Sequence, residues 1–477
     1  MILARHVRAT GRRGECRGVP AIPAFGWGNE KLLKNIFKRF SRLGIKLVSG
    51  ILLFLNSVAF LGLMVVRGAK LGKYDIIVIP SISVNFGNSV YVPDILRRRH
   101  KGKRILFIIP WDKGSGLNTA TGSIFPDVDI WFFKLLMARF TLLGKKIAMP
   151  PPNVADGVLR KIFLRLVPIL APQTQILNWR EAQSTPIPGE LKALSESDPD
   201  SRYWDLGVHC WLQRNVTAPK LVLEEEKRLL ISKRLAAARR AAGRGEGSKL
   251  CVFYSSWFDV GPLHCRKTSP PDSYVPAFRH LVERGYQVMM TGEQEMSPAY
   301  RREFGGMAVD ADSLGVDKKS YLVFAGTEAD FFIGDPGGGN VLPSINDIPL
   351  MVFNAYALGG NVHGACIFPK KAMDQDNREL SLEDIVGLRD VITPPADLKF
   401  YENTEEDILE AVISFVEEIE GREQVDERLF LGEIFPDKFD YVASRVRLSK
   451  AYVRQYCPGL VPVNDGFQEK VSAENAC

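Results

Sequence analysis

Short apolar segments alternate with helix-like segments over most of the chain, and this alternation is what most restricts its fold. Apolar runs of four to eight residues separated by helical patterns are typical of β-α-β units with parallel strands. The first series has apolar runs at 74–80, 104–110 and 128–133, with a helix predicted at 91–103. The second series has runs at 249–256, 286–292, 330–335 and 350–354. We therefore expect an α/β protein with two Rossmann-like domains that face a cleft.

The boundary between the two series is predicted from a change in composition. A Pro-rich stretch at 151–215 is expected to be irregular, and a charged helix is expected at 221–242. With 477 residues the chain is long enough for two or three domains. We predict an N-terminal Rossmann-like domain at 71–220, a C-terminal Rossmann-like domain at 221–440, and a C-terminal helix and tail at 441–477.

The positive charge of the chain is concentrated at its N-terminus. Residues 1–46 hold eleven Lys or Arg and two Glu, so this part has a net charge of +9. The whole chain has a net charge of +7, and the remainder therefore has 7 − 9 = −2. A basic arm at 1–30 has a composition typical of disorder. Because the rest is slightly acidic, we expect no nucleic-acid partner.

A helical segment is predicted at 31–70. Its first part has apolar residues at helical spacing among Lys and Arg, as in helices that lie on anionic lipid. Its second part, 47–66, is twenty residues without a charge, which is about the length of a membrane span. Two interpretations stay open: attachment to the cytoplasmic face of the inner membrane, and a buried helix of the first domain.

The cysteines indicate a reducing compartment. The seven are scattered and form no C-x-x-C pair, which argues against both a disulfide framework and a zinc site. We therefore expect a cytoplasmic protein that has no metal and no resident cofactor.

Three consecutive glycines, Gly337, Gly338 and Gly339, follow the apolar run at 330–335 and precede Asn340 and a predicted helix start. In open α/β sheets, ligands bind at the carboxyl ends of the strands, and free N–H groups at a helix start favour an anion such as a diphosphate. Bare backbone would let that anion come close. The alternative is a tight strand-to-helix turn without a ligand.

The second half of the chain resembles a bacterial family of glycosyltransferases with a GT-B-like fold. The resemblance lies in KLCVFYSSWFDVGPLHCRKTSPPDSYVPAFRHLVERGYQVMMTGE and in YLVFAGTEADFFIGDPGGGNVLPSINDIPLMVFNAY. The positions that match the family pattern are Arg266, Tyr274, Pro276, Gly292, Gly337 to Gly339, Pro343, Pro349 and Asn354.

Four motifs of the family are changed in this chain. Ser255, Ser256 and Trp257 stand where the family has Arg-Asp, and Gly87-Asn88 stands where it has Gly-His. Glu293 replaces an Asp and Pro336 replaces a Ser. The chain is therefore a divergent relative, and a loss of catalytic activity is one of the outcomes that these changes predict.

The resemblance implies transfer of a sugar from a nucleotide-diphosphate sugar, the donor substrate, to a glycan or glycolipid acceptor of the cell envelope. It places the acceptor in the first domain and the donor in the second. The candidate catalytic residues are Arg266, His264 and Asp259. The candidate donor-binding residues are Gly292, Glu293, Asp335, Gly337, Gly338, Gly339, Asn340 and Asn354, and Asn85 and Asn88 are the candidates on the acceptor side.

Two other functions stay open. A nucleotide-sugar epimerase of the same fold would bind the donor without a separate acceptor. A catalytically silent glycan-assembly protein would bind ligand without turnover, and the missing Arg-Asp and Gly-His residues favour this second alternative.

Overall fold

The computed structural model describes residues 28–79, 86–111, 118–142, 145–149, 152–178, 204–245, 249–256, 268–292, 297–356, 362–387, 398–436 and 445–460, together with 247, 294, 358. The chain is a mixed α/β protein whose two larger sheets are parallel. These sheets contain four and seven strands, and two short antiparallel pairs stand apart from them.

The first sheet has the strand order β3-β2-β1-β6. Its strands are β1 (Ile76–Ile79), β2 (Ile105–Trp111), β3 (Val128–Lys134) and β6 (Gln175–Asn178). A separate antiparallel pair consists of β4 (Ala138–Leu142) and β5 (Lys145–Met149). The helices of this part are α1 (Gly28–Leu71), α2 (Phe86–Arg99), α3 (Pro152–Leu170) and α4 (Trp204–Asn215).

Both faces of the first sheet are covered by helices. Ile76 and Val78 of β1 belong to a core cluster that contains residues of α2, whereas Ile77 and Ile79 belong to a second cluster that contains residues of α1 and α3. Successive strand residues point to opposite faces. Helix α2 therefore lies on one face of the sheet, and α1 and α3 lie on the other.

The second sheet has the order β15-β12-β11-β10-β7-β8-β9. Its strands are β7 (Leu250–Ser255), β8 (Gln287–Gly292), β9 (Ala308–Val309), β10 (Phe331–Gly334), β11 (Leu350–Ala355), β12 (Ala365–Pro369) and β15 (Arg447–Leu448). The antiparallel pair beside it is β13 (Lys371–Met373) with β14 (Lys399–Tyr401). The strand β10 lies in the middle and is buried along its whole length, as expected for a parallel sheet covered on both faces.

The helices of the second part are α5 (Glu225–Ala241), α6 (Val275–Glu283), α7 (Pro298–Phe304), α8 (Ala311–Leu314), α9 (Lys318–Glu328), α10 (Val341–Ile345), α11 (Leu382–Gly387), α12 (Glu405–Ile419), α13 (Leu431–Ile434) and α14 (Lys450–Tyr456). Several of these helices begin after an N-cap residue that can be recognised in the sequence. Thr404 and Asp407 form a capping box at the start of α12, which satisfies two backbone groups at the helix end.

The prediction of an irregular stretch at 151–215 is wrong. This segment contains α3, β6 and α4. The error came from its prolines: Pro152 is the first residue of α3, a position where proline is tolerated because the N–H it lacks would have no helical partner. The predicted strands and the helix at 221–242 are confirmed, with ends shifted by a few residues.

The two parts of the chain are in direct contact. The side-chain amide of Asn346, just after α10, donates to the Leu221 carbonyl at 2.8 Å and accepts from the Leu221 N–H at 2.9 Å. The amide of Gln213 in α4 donates to the Ser344 carbonyl at 3.0 Å. The amide of Asn118 donates to the Lys319 carbonyl at 2.8 Å. The bonds of Leu221 and Gln213 tie the segment that joins the two sheets to the second part, and the bond of Asn118 ties a loop of the first sheet to it.

Candidate functional site

The carboxyl edge of the second sheet carries a buried polar cluster. Asp335 follows β10 directly and is fully buried. Its carboxylate accepts hydrogen bonds from the Ser256 N–H at 3.0 Å, the Tyr274 hydroxyl at 2.9 Å and the Asn354 side-chain amide at 2.9 Å. Because β7, β10 and β11 are neighbours in a parallel sheet, the residues at their carboxyl ends meet at this one carboxylate.

Burial raises the pKa of Asp335 to about 7, although hydrogen bonds from Ser256, Asn354, Tyr274 and Thr268 partly offset this effect. Burial disfavours the charged carboxylate, whereas donors favour it. The pKa of the Tyr274 hydroxyl is raised well above its usual value by burial and by the charge of Asp335. Asp335 therefore exchanges a proton near neutral pH, whereas the Tyr274 hydroxyl keeps its proton.

Asn354 connects this carboxylate to the start of α12. Its backbone N–H donates to Asn403 Oδ1 at 2.6 Å, and the Asn403 N–H donates to Asn354 Oδ1 at 3.0 Å. The Ser269 hydroxyl donates to the Asn403 carbonyl at 2.9 Å. The backbone of Asn354 has a φ of 54°, a left-handed conformation that asparagine adopts more readily than most residues. The Asn403 side chain thus satisfies the backbone N–H of Asn354, where the strand register shifts, and the Asn354 side chain satisfies the N–H of Asn403.

Asp335 and Asn354, two of the residues predicted to bind the donor, are both buried and hydrogen-bonded within the protein. Donor binding by these two residues stays a prediction. Their hydrogen bonds hold the carboxyl ends of β7, β10 and β11 together within the core. Ser269, Thr268 and Asn403 also belong to this cluster and were not among the predicted residues. A signal for Asn403 was present, because it directly precedes the capping box at Thr404.

Two serine hydroxyls near the cluster have no partner among the described residues. Ser255 and Ser256 are fully buried at the end of β7, and neither Oγ makes a hydrogen bond within the part of the chain that the structure describes. Buried hydroxyls are normally paired. The end of β7 is therefore polar, with two buried hydroxyls side by side.

The three glycines are needed for close packing within the protein. A Cβ at Gly339 would lie 2.4 Å from ring carbons of Tyr254, and one at Gly337 would lie 2.9 Å from the Tyr254 hydroxyl oxygen. A Cβ at Gly338 would lie 3.1 Å from the backbone nitrogen of Gly87. The expected open cradle is thus filled at the Cβ positions by Tyr254 and by the first turn of α2. Asn340 is buried at the end of the same turn.

This contact brings two helix starts together at the carboxyl edges of two parallel sheets. Helix α2 begins at Phe86, after β1 of the first sheet, and its second residue, Gly87, faces Gly338. The 3-10 turn Gly338–Asn340 leads into α10 on the other side. Free N–H groups and the positive ends of helix dipoles collect at such starts.

Gly292, another predicted donor-binding residue, ends β8 with a φ of 104°. A Cβ there would lie 2.0 Å from the Ser255 carbonyl oxygen. Glycine is therefore required at this position by the backbone itself.

The remaining predicted residues cannot be compared with the structure. Asn85, Asp259, His264, Arg266 and Glu293 lie outside the described residues, and Asn88 lies in α2 with an undescribed side chain. By chain position, Asn85 follows β1, Asp259 to Arg266 follow β7, and Glu293 follows β8. Their proposed roles stay predictions. Among the described residues, no group of three or more His, Cys, Asp or Glu side chains comes together that could hold a metal.

A cavity of about 470 Å³ lies next to this cluster, beyond β12. It is lined by Tyr401, Tyr452, Tyr456 and apolar residues, with Asn403 and Asp407 among its polar groups. The Tyr456 hydroxyl donates to Asp407 at 3.1 Å. Asn403 is shared with the Asp335 cluster, so the cavity and the sheet edge are structurally joined.

A second buried polar cluster lies at the contact between the two parts of the chain. Asp94 of α2 accepts from Arg97 Nε at 2.7 Å and Arg98 Nε at 2.8 Å, and lies 2.7 Å from His209 Nε2. Burial alone would raise the pKa of Asp94, but the hydrogen bond from His209 and the charges of His209, Arg97 and Arg98 hold it well below its usual value. Arg97 and Arg98 also donate to the carbonyls of Pro219 and Val216. The cluster therefore fixes the connecting segment to α2.

Comparison with family models and with curated protein sequences finds no match. Among solved structures, the chain is similar to the ADP-heptose lipopolysaccharide heptosyltransferase II of E. coli, with 14% identity over 62% of this chain and 90% of that one and a TM-score of 0.35. A family 9 glycosyl transferase from Veillonella parvula gives 12% identity over 62% and 86%, with a TM-score of 0.37. The E. coli heptosyltransferase WaaC with ADP-2-deoxy-2-fluoro heptose gives 10% identity over 58% and 88%, with a TM-score of 0.30.

These similar structures are all glycosyltransferases.

Proposed function

We propose that this protein is a glycosyltransferase with two Rossmann-like domains, which takes a sugar from a nucleotide-diphosphate sugar and transfers it to a cell-envelope saccharide. The observation that carries the proposal is the meeting of two helix starts, at Gly87 and at Gly338, between the carboxyl edges of two parallel sheets. Ligands of open α/β sheets bind at such edges. A diphosphate beside this contact would receive backbone N–H groups from both parts of the chain.

The chemistry requires that the leaving diphosphate be stabilised as negative charge develops on its oxygen. Amides of Gly337 to Asn340 and of the first turn of α2 are the proposed donors, and Arg266 is the proposed cation. Asp259 and His264 are the proposed bases for the acceptor hydroxyl. Asp335 and Asn354 are assigned a supporting role, because they are buried and hold the ends of β7, β10 and β11 in register.

Nucleotide binding is tested by melting the protein with nucleoside diphosphates and their sugars. A ligand that binds only the folded state raises its stability, by about 2.7 kcal/mol at one hundred times the dissociation constant. We expect at least one nucleoside diphosphate to raise the melting temperature. Release of that nucleoside diphosphate from its sugar, dependent on an added saccharide, would separate a transferase from an epimerase or a silent binding protein. If no nucleoside diphosphate or sugar derivative shifts the melt, the proposal is wrong.

The glycine contact gives a second prediction. In Gly338→Val, the branched side chain would occupy the space beside Gly87, so we expect nucleotide affinity to fall about tenfold or more because the amides of the two helix starts move apart. The control is Gly387→Val, since Gly387 has open space at its Cβ position. Calorimetric titration with the best nucleotide, on variants that melt cooperatively, measures the change. Equal affinity in Gly338→Val and the parent would remove this contact from the donor site.

A further inference from the structure

Helix α1 is attached to the first sheet along one face only. Asn56 is fully buried, and its side-chain amide donates to the Leu136 carbonyl at 2.9 Å and accepts from the Leu136 N–H at 2.7 Å. Phe60 packs edge to face on Phe133, with ring centroids 5.1 Å apart. Met64 and Leu71 continue the same buried stripe. This face of α1 therefore belongs to the core of the first part of the chain.

The opposite face of α1 is apolar and exposed. Phe54 is 67% exposed, Val58 is 51% exposed and Val66 is 81% exposed. The full exposed set on α1 is Leu47, Val48, Ile51, Phe54, Leu55, Val58, Leu61, Val65 and Val66. Nothing in the described part of the chain covers them.

Helix α3 extends this apolar surface, which we call the α1–α3 face. Val154, Leu164, Ile169 and Leu170 of α3 are exposed, and the side chain of Leu170 packs beside Gly68 of α1. With the nine residues of α1 and with Leu136, these four make up fourteen of the nineteen large apolar side chains that are exposed among the described residues. Apolar exposure on that scale in one place marks an interaction surface.

The two helices that form the α1–α3 face are rich in basic residues. Helices α1 and α3 together contain eleven Lys or Arg and only two acidic residues, Glu30 and Asp156. Lys46, Arg160, Lys161 and Arg165 are exposed on these two helices. An anionic lipid surface matches both properties, because the apolar side chains enter the acyl boundary while the basic ones stay at the headgroups.

We propose that the α1–α3 face seats this protein on an anionic bilayer, with α1 lying in the plane of the interface and one of its faces in lipid. The segment Lys46–Leu71 is long and apolar enough to cross a membrane. A crossing would separate Phe60 from Phe133 and Asn56 from Leu136, leaving the Asn56 amide and the Leu136 backbone groups without these hydrogen bonds. Attachment in the plane keeps these contacts.

The charge also argues against a second copy of this chain as the occupant. A symmetric dimer places the same patch of both copies together, which would bring two strongly basic surfaces into contact. Like charges facing each other across an interface are unfavourable. Lipid headgroups carry the complementary charge.

The test is flotation of the full-length protein with vesicles of phosphatidylcholine, with and without phosphatidylglycerol. We expect the protein to float with the anionic vesicles, and high salt to reduce this binding without abolishing it. In Phe54→Glu/Val58→Glu and, separately, in Ile169→Glu, we expect vesicle binding to fall about tenfold or more, since a carboxylate enters the apolar boundary. The matched control is Leu229→Glu/Leu230→Glu, which changes two exposed leucines on α5, outside the α1–α3 face.

Three results would overturn the proposal, two of them from the vesicle measurements. One is a parent protein that stays unbound with both kinds of vesicle. The other is binding that is equal in the parent, in Ile169→Glu and in the α5 control. A parent that is dimeric without vesicles, and that Phe54→Glu/Val58→Glu converts to a monomer, would assign the face to a second copy instead. Melting curves show which variants are folded, and Ile169→Glu decides the outcome if the α1 variant is not. None of these readouts depends on nucleotide binding, so the proposal stands or falls independently of the proposed function.

Discussion

Replacing Asp94 with alanine is expected to lower the free energy of unfolding by about 3–5 kcal/mol, the cost of breaking a buried ion pair by removing one partner. Arg97 and Arg98 would stay buried without the carboxylate that accepts their Nε–H groups at 2.7 and 2.8 Å. Urea unfolding of the parent and the variant at pH 7.5 measures the difference. A loss below about 1 kcal/mol would show that the arginines are not held by this charge.

Asp127→Ala is the matched control for Asp94→Ala. Asp127 lies 3.5 Å from Nη1 of the same arginine, Arg97, but its side chain is much more exposed. Exposed ion pairs are typically worth about 0–1 kcal/mol, because water screens the charges. The two variants therefore compare a buried carboxylate that contacts Arg97, Arg98 and His209 with a more exposed carboxylate that, among the described residues, contacts Arg97 alone.

The second large effect is in the pH dependence of stability. The pKa of Asp335 is about 7 in the folded protein, whereas an unfolded aspartate titrates near about 3.9. Protonated Asp335 therefore favours folding. The contribution of Asp335 to the free energy of unfolding is complete below about pH 4. It decreases as the pH rises from there and is gone above about pH 7. Between pH 5 and 8 this change amounts to about 3 kcal/mol.

His363 acts in the opposite direction over the same range. Burial, and then the positive charges of Arg445, His209, Arg98 and Arg214, lower the pKa of His363 to about 4. An unfolded histidine takes up a proton near about 6.5, so the folded protein loses stability as the pH falls from that value toward 4. Between pH 8 and 5 the loss is about 2 kcal/mol. In the parent the two residues nearly cancel.

Two variants separate these contributions. Asp335→Asn should gain about 3 kcal/mol of stability relative to the parent when the pH is raised from 5 to 8, and His363→Gln should gain about 2 kcal/mol relative to the parent when the pH is lowered from 8 to 5. Urea unfolding at both pH values measures each difference. A pH-independent difference for Asp335→Asn would show that Asp335 has an ordinary pKa in the folded protein. The pKa of Asp94 is too low to contribute in this range.

The sequence was sufficient to predict the parallel α/β arrangement, for a physical reason. Central strands such as β10 are buried on both faces, so their sequences are continuous apolar runs. Such a run can be recognised as a strand without knowing which distant residues pack against it. Helix α3 was missed because Pro152 looks like a breaker unless it is known to stand at the first helical position. The run Arg97–Arg98–Arg99 reads as a solvated surface, and only the tertiary structure shows that Arg97 and Arg98 are buried around Asp94.

The candidate site was predictable in location and less so in detail. The position of Gly337 to Gly339 after a buried strand was visible, but what fills the space beside them was not, since Tyr254 and Gly87 are brought there by two different sheets. Asp335 stood out as a carboxylate at a strand end. Its burial depends on Tyr274, Asn354 and Ser256, which are distant along the chain. Contacts of this kind are set by packing and leave no periodic trace in the sequence.

The alternation of side chains along β1 determines how high the proposed donor site stands above a bilayer. Ile77 and Ile79 face the helices of the α1–α3 face, whereas Ile76 and Val78 face α2, whose first turn meets Gly338. One layer of sheet and one layer of helix therefore separate the lipid from that contact, a height on the order of 20 Å for layers packed about 10 Å apart. A nucleotide would arrive from water without passing the headgroups. If both proposals hold, a lipid-linked acceptor would have to reach upward by that height to meet the nucleotide sugar.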